Sequence, residues 1–160
     1  AELQRKQKDA AQAVEERVRK LEPLKVSMDG REFAVEPEEK RQFEDALSLL
    51  RQGDYAASTT ALAAFQRRWP NSGYTDAARF WHGNALYGKR EHKEALVVFK
   101  AFIAGAPDHP RVPEAMLASA NAQLETKDSK SAKATLTDLV KAHPKSEAAQ
   151  AAKERLAVLK

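Results

Sequence analysis

Pro70, Pro107 and Pro144 stand 37 residues apart, and the same step carries a whole set of other positions onto one another. It superposes Phe43, Phe80 and Leu117, then Leu62, Phe99 and Leu136, then Phe65, Phe102 and Leu139. Small residues follow it too: Ala46, Gly83 and Ala120, then Ser58, Ala95 and Ala132. A unit of this length cannot bury its apolar face alone, so its copies must stack. Each copy reads as two amphipathic helices divided by a turn, at Gly53-Asp54, Arg90-Glu91 and Lys127-Asp128. The small residue on the first helix lets the second approach closely, and the large apolar residues fill the space between units. Proline then stops the second helix, because it has no N–H to donate and clashes with the preceding turn. The spacing predicts helices over 37–52, 54–68, 74–89, 91–104, 111–126 and 128–142. A seventh, 145–159, has one apolar stripe with charge opposite, as suits the end of a stack.

Composition narrows the function classes. The 160 residues are 42% hydrophobic, enough for one domain and an extension. No stretch approaches the roughly 18 uninterrupted apolar residues of a membrane span. The absence of cysteine removes disulfides and thiolate-bound zinc. The net charge of +4 is spread thinly, with 13 basic and 13 acidic residues over 1–74 and 14 against 10 over 75–160. Lys127, Lys130, Lys133 and Lys141 alternate with Asp128 and Asp138 as a solvated helix face would, so nucleic-acid binding is not expected.

The stretch "GNALYGKREHKEALVVFKAFIAGAP" resembles a tetratricopeptide repeat, with Gly83, Ala95, Phe99 and Pro107 at that motif's spacing. "GDYAASTTALAAFQRRWP" follows the pattern less closely, and the third copy less still. With "GDYAAS", "WPNSGY", "FWHGNALY" and "SEAAQAAKERLAVLK", residues 21–160 resemble the Tol-Pal-associated periplasmic protein family called YbgF or CpoB. The expected fold class is all-α: a three-pair α-solenoid with a capping helix, preceded by a coiled-coil helix and a short β-hairpin. The expected organisation is 1–22 as the end of an oligomerising helix, 23–36 as hairpin or linker and 37–160 as the repeat domain. The resemblance implies a non-enzymatic periplasmic scaffold without a cofactor. It also implies TolA and a peptidoglycan synthase as partners, trimers through the N-terminal helix, and coordination of outer-membrane constriction with septal peptidoglycan synthesis during cell division. Two other readings stay open: a cytosolic co-chaperone module that binds peptide C-termini, and an accessory domain of a cell-wall enzyme.

The segment before the repeats carries two signals. Gln4, Gln7, Ala11, Val14, Val18 and Leu21 form a heptad seam that is half polar or small, read either as a weak coiled coil or as a solitary solvated helix. "LKVSMDGREFAV" places Asp29-Gly30 between alternating residues. A two-residue turn there would pair Met28 with Arg31, Val26 with Phe33 and Leu24 with Val35, the alternative being an extended linker. An isolated hairpin is marginal, so that face must pack on the first repeat or on a neighbouring subunit.

Candidate chemistry is sparse. His82, His92, His109 and His143 lack the spacing of a helical metal pair and read as loop polarity. The pairs Glu15-Glu16, Glu38-Glu39 and Glu44-Asp45 fall on expected exposed faces and read as surface charge. "ASTT" lies inside a helix, where a nucleophile elbow cannot form. Trp69, Tyr74, Phe80, Trp81 and Tyr87 are aromatics at helical spacing, most of them expected in the core. The first helices should present Phe43, Leu47 and Leu50, then Phe80, Asn84 and Tyr87, then Leu117, Asn121 and Leu124 to a partner. Asn84 and Asn121 follow the small Gly83 and Ala120, where a repeat of this kind can offer an amide to a bound peptide. Leu47 at the equivalent place breaks that polar series.

Overall fold

The computed structural model describes residues 1–159. In chain order the elements are α1 (Glu2–Arg19), β1 (Leu24–Met28), β2 (Arg31–Val35), α2 (Pro37–Arg51), α3 (Tyr55–Arg68), α4 (Thr75–Gly88), α5 (His92–Gly105), α6 (Val112–Glu125), α7 (Ser129–Ala142) and α8 (Glu147–Val158). Helices α2 to α7 make three antiparallel pairs, and α8 closes the stack against α7 and α6. The first helices of successive pairs also touch one another, α2 with α4, α4 with α6 and α6 with α8, so they form a continuous row along one side of the solenoid. The all-α solenoid with its hairpin is the fold expected from the repeat.

The pair turns are built alike. Gly53, Arg90 and Lys127 adopt left-handed φ values of 80°, 67° and 65°. The next residue's N–H then reaches back to the carbonyl of Leu49, Leu86 or Gln123 and closes a Schellman cap at 3.0, 3.0 and 2.9 Å. Asp54 and Asp128 then start the following helices by accepting from the N–H groups of Ala57 and Ser131, each at 3.1 Å. At the other end of each pair, Trp69, Ala106 and His143 leave the helical region immediately before a proline, where the pyrrolidine ring disfavours the α conformation.

Packing follows the small-to-large alternation. Ala46 faces the level of Leu62, Gly83 that of Phe99 and Ala120 that of Leu136, and all three large residues are fully buried. A Cβ on Gly83 would come within 2.6 Å of the Phe99 ring, so only glycine fits opposite that phenylalanine. Ser58, fully buried, donates to the Ala46 carbonyl at 2.9 Å and ties α3 to α2 without leaving its hydroxyl unsatisfied.

The 24–35 segment is a hairpin in the expected register, Leu24 opposite Val35, Val26 opposite Phe33 and Met28 opposite Arg31. Asp29 and Gly30, with φ of 50° and 77°, form its turn. It packs on its own chain: Val26, Met28, Phe33 and Val35 cover the first core cluster, and Phe33 meets Tyr74 edge-on at 5.0 Å. A side chain at Gly73 would overlap the Phe33 ring. Helix α1 buries none of its residues and stands clear of the solenoid.

Candidate functional site

Of the nine residues expected to face a partner, two lie in the core. Phe43 is 0% exposed and Phe80 3%, so neither reaches a surface. The cause lies outside their own helices. Tyr74 stacks on Phe43 at 4.1 Å beneath Phe33, and the Arg111 guanidinium lies 5.5 Å from the centre of the Phe80 ring and 5.0 Å from that of Trp81. Leu117, one repeat further on, is only partly buried, at the edge of the third cluster.

The remaining residues are half-buried along the row of first helices. Leu47 and Leu50 lean on the first cluster and Tyr87 on the second, while Leu124 continues the line in α6. The two amides differ. Asn84 donates its Nδ2 to the Phe80 carbonyl of its own helix at 3.0 Å, and its Oδ1 has no donor among the described residues. Asn121 has its oxygen taken by the Arg155 guanidinium of α8. Burial pushes the Tyr87 phenol above its ordinary value; Glu125 adds to the rise and Arg155 opposes it. Tyr87, Asn121, Glu125 and Arg155 thus share one electrostatic neighbourhood where α4, α6 and α8 meet. Neither Glu125 nor Arg155 is visible as a site residue in the repeat pattern, because one is the last residue of α6 and the other lies in the capping helix.

A second cluster joins hairpin and solenoid. The Asp29 carboxylate accepts from Arg111 Nε at 3.0 Å and lies 3.5 Å from His109 Nε2. His109 Nδ1 in turn accepts the Arg111 backbone N–H at 3.1 Å, so the imidazole presents its other nitrogen to Asp29. The side chains of Asp29 and His109 are 12% and 6% exposed. His109 is therefore part of an internal contact, not the loop polarity expected of it. Glu39 corrects the sequence reading in the same way. It is 6% exposed because it closes a capping box with the Glu36 N–H at 3.0 Å and accepts from Ser72 in the following loop. A signal for Arg111 did exist, since it stands 37 residues after Tyr74 and does for Phe80 what Tyr74 does for Phe43.

No group of three His, Cys, Asp or Glu residues among the described residues is arranged to hold a metal ion. No helix among them is long and apolar enough to cross a membrane.

Comparison with known proteins bears on the repeat region. The crystal structure of a tetratricopeptide repeat protein from Parabacteroides merdae aligns with a TM-score of 0.40 at 14% identity, over 74% of this chain and 58% of that one. A search of curated proteins finds no match. The family model YfiO, described as outer membrane lipoprotein, matches residues 36–160, from the cap of α2 through the end of the chain. The chain therefore belongs to the YfiO outer membrane lipoprotein family.

Proposed function

We propose that this protein is a non-enzymatic periplasmic scaffold of the YbgF or CpoB type. In this reading it binds TolA along the row of first helices and helps to coordinate outer-membrane constriction with septal peptidoglycan synthesis during cell division. The repeat fold and membership of an outer membrane lipoprotein family support a protein-binding role in the cell envelope. The observation that carries the reading is the row itself. Leu47, Leu50, Tyr87 and Leu124 are half-buried apolar side chains in sequence along the solenoid, and Asn84 beside them holds an unused carbonyl oxygen. Apolar anchors of this kind supply affinity, while an amide that must be matched fixes register. A peptidoglycan synthase is a second partner in this reading. Trimers would form through Val14, Val18 and Leu21, which are all exposed on or just after α1. Within this scheme residues 1–22 belong to the oligomerising helix, 23–36 are the hairpin or linker and 37–160 the partner-binding domain.

Calorimetric titration with TolA tests it. Tyr87→Ala should weaken binding at least tenfold, equivalent to about 1.4 kcal/mol, and Asn84→Ala should weaken it less. Unchanged affinity in both variants would exclude the row as the site, and no binding by the parent would exclude TolA.

A further inference from the structure

The hairpin tip fills a groove that the repeat provides again further along. Between the start of α4 and the start of α6, Gly73, Asp76, Ala77 and His109 form walls for Met28, Asp29 and Phe33, and only about 10 Å³ is left free. Adding 37 to the wall positions gives Pro110, Pro113, Glu114 and Ser146, which border the equivalent groove between α6 and α8. That groove is open. It measures about 450 Å³ and is completed by Leu117, Ala148 and Ala151.

Two differences leave it open. The hairpin is too short to reach it, its turn being already held by Arg111. The side chain that covers each floor is also missing: Tyr74 lies on Phe43 and Arg111 on Phe80, but the third residue of that series, above Leu117, is Ala148. An alanine cannot span the gap that a tyrosine or an arginine closes.

We propose that the groove between α6 and α8 is a docking site for an extended or turn-forming segment of a partner protein, carrying an apolar side chain next to a Lys or Arg. The hairpin in the preceding groove shows the kind of ligand such walls accept: backbone laid across the helix starts with an apolar residue pointing in. His109 lines the occupied groove and its neighbour Pro110 the open one, so a segment in the open groove would lie beside an interface that already exists. Charge selects the rest. In the occupied groove Arg111 receives the acidic Asp29. In the open one the equivalent of Arg111 is uncharged, and the carboxylates at the border are Glu114, shared with Arg111 at 3.3 Å, and Glu147, which has no partner among the described residues. Lys145 is exposed just before Ser146, outside the border. A basic neighbour to the apolar anchor therefore suits this site, although the repeats as a whole carry a mild positive excess.

The inference rests on reading the solenoid as a protein-binding surface but not on TolA. Its test uses two capped tripeptides, acetyl-Lys-Trp-Lys-amide and acetyl-Glu-Trp-Glu-amide, titrated into the full ¹⁵N-labelled chain. The basic peptide should move the amides of Leu117, Ala148 and Ala151 and bind roughly tenfold more tightly than the acidic one, the ratio that a single well-placed contact supports. Ala151→Trp should remove these shifts while the rest of the spectrum and the melting profile stay unchanged. Glu147→Lys, at an exposed position, should reverse the preference between the peptides, and it decides the matter alone if the tryptophan variant does not fold. Equal binding of the two peptides, shifts confined to the row around Tyr87, or no shifts at millimolar peptide would each overturn the proposal. So would a parent dimer in sedimentation that Ala151→Trp dissociates, because the occupant would then be a second copy. The calorimetry with Tyr87→Ala reads a different surface, so failure of one leaves the other standing.

Discussion

Replacing Gly83 by alanine sets two known effects against each other at one buried point. The new Cβ would lie 2.6, 2.8 and 3.0 Å from three atoms of the Phe99 ring, where about 3.4 Å or more is ordinary. Phe99 is fully buried, so it cannot swing into solvent to make room. Overpacking of this kind costs about 1–3 kcal/mol, and the better helix propensity of alanine returns about 1 kcal/mol. The expected net loss for Gly83→Ala is about 0–2 kcal/mol. Phe99→Leu should lose a similar amount, about 1–2 kcal/mol, by leaving a void. The double variant is the informative one, because Ala with Leu is the pair that the first and third repeats already use, Ala46 with Leu62 and Ala120 with Leu136. It should be more stable than the sum of the single changes predicts, with a coupling of about 1–2 kcal/mol. Urea unfolding followed by circular dichroism at constant m-value measures all four proteins. Strict additivity, or a Gly83→Ala protein more stable than the parent, would refute the view that this glycine is set by the ring opposite it.

Three further outcomes are expected. Arg90→Gly and Lys127→Gly should each stabilise the fold by up to about 1 kcal/mol, since both residues hold a left-handed φ that glycine adopts freely; Gly53→Ala should cost a similar amount because nothing but backbone strain acts there, and thermal melts read all three. Burial lowers the pKa of His82, so the unfolded chain binds its proton more readily. The His82 contribution should therefore be complete above about pH 6.5 and decline as pH falls; urea midpoints from pH 7 to 5 should show a flatter profile for His82→Gln, and parallel profiles would contradict this. Arg111→Ala leaves the largely covered Asp29 carboxylate without its strongest partner, at a cost of roughly 1–3 kcal/mol. Amide exchange should speed up at Val26, Met28 and Phe33 but not in α7 or α8.

The parts of this structure that could be read from the sequence are those written locally or periodically. The Asp29-Gly30 turn and its alternating flanks determine which residues of the hairpin pair, and the 37-residue step determines which helices stack. What covers a given helix face is a different kind of information. Phe43 and Phe80 are hidden because Phe65 and Phe102 of their own pairs meet them on one side and Tyr74, Arg111 and the hairpin converge on them from elsewhere in the chain. Asp29 reads as a turn former and His109 as loop polarity when each is taken with its neighbours, yet the contact between them depends on where the whole hairpin lands. Arg155 reached the neighbourhood of Asn121 in the same way, from the capping helix 34 residues further on.

The hairpin also changes how the molecule can come apart. A simple solenoid couples each repeat only to its neighbours, so it can fray from either end. Here the Asp29–Arg111 contact joins positions 82 residues apart and spans the first two repeats from outside. That tie couples the hairpin and the first two repeats to the start of α6, while α7 and α8 are held by their contacts with α6 and with each other. Breathing is therefore directional and starts at the C-terminal end. The groove between α6 and α8 lies at that looser boundary, where a bound segment would extend the coupled part by one repeat, and an arriving chain would register as tighter folding of α7 and α8.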